Sequence, residues 1–74
     1  MAKTKVRNDI RKLRFEHSEM TQQDLAERIG MTRQTIVAIE KEKYSPSLEA
    51  AFRIAEVFGR PLEDVFSYGG EPRD

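Results

Sequence analysis

The stretch TQQDLAERIGMTRQTIVAI, residues 21–39, decides the fold. It predicts two short helices joined by a tight turn. Thr21 can cap the first helix through its hydroxyl, and Asp24 stands at the third helical position, as in a capping box. Gly30 can end that helix in the left-handed conformation, and Thr32 can cap the second helix.

Apolar residues within this stretch recur at helical spacing, which predicts that each helix buries one face against the other. These residues are Leu25, Ala26, Ile29, Met31, Ile36 and Ile39. An ordinary helical hairpin has the same stripe and the same caps. The conjunction of small Ala26, a turn at Gly30 and a polar cluster at Thr32, Arg33, Gln34 and Thr35 favours a DNA-binding helix-turn-helix instead. Arg and Gln at the exposed start of the second helix are side chains that read base edges.

Length and composition limit the alternatives. A chain of 74 residues makes one domain with a modest core, for which dimerisation is a natural source of stability. It has no cysteine, hence no disulfide and no thiolate metal site, which fits a cytoplasmic location. We find no signal peptide and no membrane-spanning segment.

Enzymatic signatures are missing from the sequence. There is no phosphate-binding glycine loop and no Cys/His cluster. His17 is the single histidine and is expected to be solvated in a polar loop. We therefore expect no catalysis, no cofactor, no metal and no small-molecule ligand.

The formal net charge is zero, with 13 basic and 13 acidic residues, which is unusual for a DNA-binding domain. The distribution is uneven. Basic residues dominate before Glu16, and acidic residues are frequent from Glu49 onward, so a basic and an acidic side are expected.

The remaining sequence predicts three more helices. One begins at Asn8 or Asp9 and turns Ile10, Leu13 and Phe15 inward. Another spans residues 48–58, is capped by Ser47 and ends at Gly59; its expected buried stripe is Leu48, Ala51, Phe52, Ala55 and Phe58. A short helix starts at Pro61. Residues 2–7 form either a basic arm or a strand, and residues 67–74 are an arm unless residues 66–68 pair with another strand.

Four linked segments resemble the Cro/C1-type, or Xre-like, helix-turn-helix family: IRKLR (10–14), the segment 20–40, KYSPSLEAAFRIAEVFG (43–59) and PLEDVF (61–66). The resemblance covers nearly the whole chain. It implies an all-α, five-helix, lambda-repressor-like DNA-binding domain with a core at about 8–66, and short terminal β-strands as an open addition.

The resemblance also implies roles for individual residues. Base-reading positions fall on Arg33, Gln34 and Ala38, with Thr32 and Thr35 close by. Backbone-contact positions fall on Thr21, Gln22, Lys43, Tyr44 and Ser45. Arg14 and Glu40 match a structural ion pair between the first and third helices.

Two departures from the family pattern affect these roles. The loop 15–19 is one residue longer than the commonest form, and Lys41-Glu42 replaces a frequent Asn-Gly. The second departure puts a carboxylate near the expected phosphate path, so contacts from residues 41–45 are weaker expectations than those from Arg33 and Gln34.

Three functions remain open. The first is a transcriptional regulator, most simply a repressor, that binds a palindromic site in double-stranded DNA as a homodimer. The others are a DNA-binding antitoxin, although only eight residues follow Phe66, and a coactivator-like protein-binding module. The dimer is expected through the last helix and terminal strands, with Val6, Leu62, Val65, Phe66 and Tyr68 in the interface. In the alternative, both ends are disordered and Phe66 completes the monomer core.

Overall fold

A computed structural model describes residues 4–69 of the chain. It contains five helices and two short strands, which confirms the predicted all-α fold with terminal strands. In chain order they are β1 (Val6–Asn8), α1 (Ile10–Glu16), α2 (Gln22–Ile29), α3 (Arg33–Glu40), α4 (Leu48–Phe58), α5 (Leu62–Val65) and β2 (Phe66–Tyr68). Residues 1–3 and 70–74, which belong to the predicted arms, lie outside the described residues.

Local capping chemistry sets the ends of α2. The main-chain N–H of Asp24 donates to Thr21 Oγ1 at 2.9 Å, and the N–H of Thr21 donates back to Asp24 Oδ2 at 3.3 Å. This reciprocal pair is a capping box. Gly30 ends the helix at φ 73°, a left-handed conformation that a side chain would strain.

The other predicted caps also form. Thr32 Oγ1 accepts from the Thr35 N–H at 3.2 Å, and Ser47 Oγ accepts from the Ala50 N–H at 3.1 Å. Helix α1 starts differently, because the Asp9 side chain makes no cap bond. Instead, Asn8 Oδ1 accepts from the Ile10 N–H at 3.1 Å. The predicted start at Asn8 or Asp9 is therefore correct, with Asn8 supplying the side-chain bond.

The core draws on all five helices and on β2. Its largest fully buried side chains are Ile10, Leu25, Ile36, Ile39, Ile54 and Val65. Ala26 of α2 is also fully buried, and α2 packs against both α3 and α4. A small residue at a buried helix position allows a neighbouring helix to approach closely.

Three apolar residues that we expected inside are exposed. Phe15 on α1 is 60% exposed, and Leu48 and Phe52 on α4 are 66% and 53% exposed. Helix α4 buries three of the five predicted residues, Ala51, Ala55 and Phe58, and buries Ala50 and Ile54 in place of Leu48 and Phe52. Both stripes are apolar at helical spacing, and the packing of α4 against α2 and α5 selects between them.

The two strands form an antiparallel pair that joins the ends of the domain. Val6 is opposite Tyr68 and Asn8 is opposite Phe66. The Asp9 N–H also donates to the Val65 carbonyl at 3.0 Å. Strand β1, Val6–Asn8, overlaps the end of the segment 2–7, which the sequence left open as a basic arm or a strand.

This arrangement corrects one of the expected dimer residues. Val65 is 0% exposed and belongs to the core of its own chain, so its side chain is not available to a second chain. Phe66 is 9% exposed and also packs in the core, but it still lines a surface groove with Val6, Leu62 and Tyr68. Val6 and Leu62 are half-buried and Tyr68 is 79% exposed, so these three remain at the surface.

His17 is not the solvated loop residue that we expected. It is half-buried, and its ring packs edge-on against Phe58 with the ring centroids 5.3 Å apart. Its Nδ1 atom is buried and has no hydrogen-bond partner within residues 4–69. His17 therefore packs the C-terminal end of α1 against the C-terminal end of α4.

Candidate nucleic-acid interface

Helix α3 divides its side chains between the core and the surface. Ile36 and Ile39 are 0% and 1% exposed and hold the helix against the core. Thr32, Arg33 and Gln34 are exposed at its N-terminal end, and Thr35 and Ala38 are half-buried beside them. Four of the five predicted base-reading residues therefore lie in the N-cap and first turn of α3, and Ala38 follows one turn after Gln34 on the same side.

The two threonines at the start of α3 are tied to each other. Their hydroxyl oxygens lie 3.0 Å apart in a hydrogen bond. Thr32 Oγ1 also accepts the Thr35 N–H, so the first turn of α3 is fixed in shape. Arg33 and Gln34 project from this rigid turn.

A buried ion pair supports the other end of α3. Arg14 Nε lies 2.7 Å from Glu40 Oε2, and Arg14 Nη2 lies 3.1 Å from Oε1. The two side chains are only 13% and 9% exposed. Arg14 Nη1 also donates to the Met20 carbonyl at 2.9 Å. The fork geometry uses the planar guanidinium, which a lysine could not replace.

Gln22 joins the same network. Its Nε2 donates to Glu40 Oε1 at 3.1 Å, so the side chain braces the end of α3 from the first turn of α2. Gln22 can still donate to a phosphate through the second hydrogen of Nε2 or through its main-chain N–H. That group lies at a helix N-terminus, where the helix dipole favours anions.

The segment after α3 presents the remaining backbone-contact candidates. Lys43, Tyr44 and Ser45 are all exposed. The N–H of Glu42 donates to the Ile39 carbonyl and the N–H of Lys43 to the Ala38 carbonyl, both at 3.0 Å, which is a Schellman motif. Glu42 holds its left-handed position at φ 61°, where glycine is the usual residue.

A wide groove separates α1 from α3 and the start of α2. Its lining includes five cationic side chains, those of Arg11, Lys12, Arg14, Arg33 and Lys41, and four carboxylates, those of Asp9, Glu16, Glu19 and Glu40. Arg11 and Lys12 were not among the predicted site residues, although their place opposite buried Ile10 and Leu13 could have suggested it. Arg14 and Glu40 neutralise each other, which leaves Arg11, Lys12, Arg33 and Lys41 as the cations of this groove that can attract a polyanion.

Other classes of site are missing from the part of the chain that the structure describes. Residues 4–69 contain no cluster of three or more His, Cys, Asp or Glu side chains that could hold a metal ion. None of the helices in that range has the length and apolarity needed to cross a bilayer.

Comparison with known proteins agrees with this geometry. A helix-turn-helix family model matches residues 10–65. The chain is 51% identical over 63 residues to an uncharacterized HTH-type transcriptional regulator of Methanocaldococcus jannaschii, covering 85% of this chain and 94% of that protein. It is 36% identical over 58 residues to the cryptic phage CTXphi transcriptional repressor RstR of Vibrio cholerae, covering 78% of this chain and 51% of RstR.

The same architecture occurs among solved structures. A crystal structure of a candidate DNA-binding protein from Bacteroides fragilis superposes with a TM-score of 0.73 at 26% sequence identity. The match covers 84% of this chain and 98% of that one. The family model spans most of the chain, and the relative from Methanocaldococcus jannaschii matches it over nearly the same length. This protein therefore belongs to the Cro/C1-type helix-turn-helix family of DNA-binding transcriptional regulators.

Proposed function

We propose that the protein is a repressor that binds a palindromic operator as a homodimer, with α3 of each chain in the major groove. Arg33 donates to a guanine and Gln34 to an adenine or a neighbouring base. Ala38, Thr32 and Thr35 contact base edges or adjacent phosphates. The specificity of one small domain is limited, and two-fold symmetry doubles the number of contacts.

The proposal rests on the way α3 separates its buried and exposed side chains. Ile36 and Ile39 are buried and hold the helix against the core. The first turn, whose main chain is held by the Thr32 cap, presents Arg33 and Gln34 to solvent. Polar side chains on a rigid, exposed helix end match the geometry of a recognition helix. A protein-binding surface would be expected to expose aromatic or aliphatic side chains there.

Phosphate contacts flank the reading residues in this proposal. Thr21 and the N–H of Gln22, at the start of α2, contact phosphates on one side of the DNA major groove. Phosphates on the other side are contacted by Lys43, Tyr44 and Ser45. These contacts set register and affinity without reading sequence. Glu40 stays with Arg14 and Gln22, so its carboxylate is neutralised before DNA arrives.

The homodimer forms through the surface around α5 and the terminal strands. Val6, Leu62 and Tyr68 line an apolar groove together with exposed Leu48. Exposed Phe52 lies beside it in a second groove that shares Leu62. A second copy of the chain would cover these side chains across a two-fold axis, which removes apolar surface from water on both chains.

Repression is the regulatory outcome that we propose. RstR, a relative at 36% identity, is named as a transcriptional repressor. Occupying an operator that overlaps a promoter needs only the DNA-binding domain. The alternative outcome, activation, requires an additional surface that contacts the transcription machinery.

Gel shifts with the DNA upstream of the protein's own coding region test the proposal. We expect a discrete complex that an excess of random duplex does not displace and an excess of the same duplex does. The same DNA placed before a reporter gene should give lower expression when the protein is present. A complex that random DNA displaces equally well, or a reporter that rises, would contradict the proposal.

A further inference from the structure

Asn8 joins three elements with one side chain. Its Nδ2 donates to the carbonyl of Ile39 in the last turn of α3 at 2.8 Å, across 31 positions of sequence. Its Oδ1 accepts from the N–H of Ile10, which starts α1, at 3.1 Å. Asn8 itself is the last residue of β1.

The two partners fix the orientation of this amide. A reversed amide would place its oxygen against the Ile39 carbonyl and its NH₂ against the Ile10 N–H, so both bonds would be lost. An asparagine therefore fits where an aspartate does not, because a carboxylate keeps the acceptor for Ile10 but has no donor for Ile39. Asn8 is also half-buried, which makes an unpaired partner costly.

This bond connects α3 to the surface that we assign to the dimer. Strand β1 is paired with β2, and Asn8 lies opposite Phe66 in that pair. The Asp9 N–H binds the Val65 carbonyl at the end of α5. Asn8 is thus a direct hydrogen-bonded contact between the paired terminal strands and the C-terminal end of α3.

We propose that Asn8 is a positioning residue that fixes the angle of α3 relative to the terminal strands, and with it the half-site spacing that the homodimer accepts. The inference rests on the proposed homodimer. If the dimer forms at α5 and the strands, the angle between that surface and α3 decides where the two recognition helices lie on DNA.

Spacing is sensitive to a small change in this angle. One additional base pair moves a half-site by about 3.4 Å and rotates it by roughly 35° around the DNA axis. If the angle between α3 and the terminal strands is fixed, the dimer binds one half-site spacing and rejects spacings one base pair longer or shorter. If that angle varies, the dimer also binds the longer and shorter spacings, while Arg33 and Gln34 still read the same bases within each half-site.

The test selects DNA from a library of inverted half-sites separated by central segments of different length. Three full-length variants are compared with the wild type: Asn8→Asp, Asn8→Ala and Ile54→Val. Ile54→Val is the control, since it removes one methyl group from the core of α4 and leaves Asn8 unchanged. All are assayed at a temperature where circular dichroism shows them folded.

We expect the wild type and Ile54→Val to select one spacing. Asn8→Asp and Asn8→Ala should select the same half-site sequence but lose the preference for that spacing over one base pair more or less. Asn8→Asp with an unchanged spacing preference would overturn the proposal, as would an altered half-site sequence in that variant.

A distance measurement separates failure of Asn8 from failure of the homodimer. The chain has no cysteine, so Gln34→Cys and Tyr68→Cys place two unique spin labels on α3 and β2. Labelled protein is diluted with unlabelled protein so that distances within one chain are recorded. The distance distribution should be narrow in the labelled parent and in Ile54→Val, and broad once Asn8→Asp is added.

An equally narrow distribution in Asn8→Asp would overturn the positioning role. A wild type that selects single half-sites would instead contradict the homodimer, and the distance distribution alone would then decide whether Asn8 positions α3.

Discussion

Arg33 stands exposed in the first turn of α3, where the cap at Thr32 fixes the main chain. We predict that Arg33→Ala lowers affinity for the selected operator by ~1 to 3 kcal/mol, the value of one bidentate base contact. Arg33→Lys is the matched control, because it keeps the charge and loses the planar fork. It should retain binding to random DNA, and it should keep a weaker base preference at that position than the wild type. Sequence selection with the three proteins measures both effects, and an unchanged preference in Arg33→Ala would remove Arg33 from base reading.

Glu42 is a second residue whose effect can be predicted singly. Its φ of 61° suits glycine better than any residue with a Cβ. Glu42→Gly should raise the free energy of unfolding by ~0.5 to 1 kcal/mol, since relief of the left-handed conformation exceeds the added entropy of the unfolded glycine chain. Urea denaturation measures this change.

The same position also tests the path of the DNA backbone. Glu42→Gln removes the charge and keeps the Cβ, so it should leave the stability nearly unchanged. If Lys43 to Ser45 contact phosphates, both Glu42 variants should bind DNA more tightly, and more so at low salt. Equal affinities for the wild type and both variants would show that this segment lies away from the phosphates.

At the scale of elements, the ends of several helices are set by residues close to them in sequence. Thr21 with Asp24, Gly30, and Ser47 act within a few residues of their own position, so the limits of α2 and α4 could be predicted from sequence. The buried face of α4 could be predicted only in part: Ala51, Ala55 and Phe58 are buried as expected, whereas Leu48 and Phe52 are exposed. Leu48 and Phe52 form as good an apolar stripe as Ala50 and Ile54, and only the neighbouring helices decide which stripe is covered.

Among the contacts between helices, the Arg14–Glu40 ion pair between α1 and α3 is expected to contribute most to the free energy of unfolding. Arg14 and Glu40 are nearly buried and also bind Met20 and Gln22, so truncating either one leaves a charge without its partner. Arg14→Ala or Glu40→Ala should each lower the free energy of unfolding by ~3 kcal/mol, near the lower end for buried pairs. The double variant should cost far less than the sum of the two. Urea denaturation of all four proteins gives the coupling, and additive losses would refute it.

In the candidate site too, features set by local sequence could be predicted, and features set by long-range packing could not. The exposed end of α3 could be predicted, because Thr32 caps a helix whose Ile36 and Ile39 must face inward. The bond from Asn8 to Ile39 could not, because it spans 31 residues and depends on the packing of β1 beside α3. Val65 was misplaced in the dimer interface for a related reason: the sequence does not distinguish an apolar residue of the core from one of an interface near the C-terminal end of a domain.

At the scale of the whole molecule, the proposed dimer surface is the part most open to direct test. Tyr68 is 79% exposed in the groove with Val6 and Leu62. Tyr68→Asp should shift the protein toward monomer, because a charge would be buried in an apolar contact. Phe15→Asp is the control, since Phe15 is 60% exposed but does not line that groove. Sedimentation equilibrium gives the masses, and a Tyr68→Asp protein as dimeric as the wild type would place the interface elsewhere.

The central claim is that two copies of α3 read one palindromic site. Selection of bound duplexes from a fully random library by the wild-type protein tests it most directly, because the selected sequence records both the contacts and the symmetry. We predict an inverted repeat whose half-site centres lie about 34 Å apart, one helical turn of DNA. A selected pool with no enriched sequence, or with one motif that lacks an inverted partner, would contradict the claim.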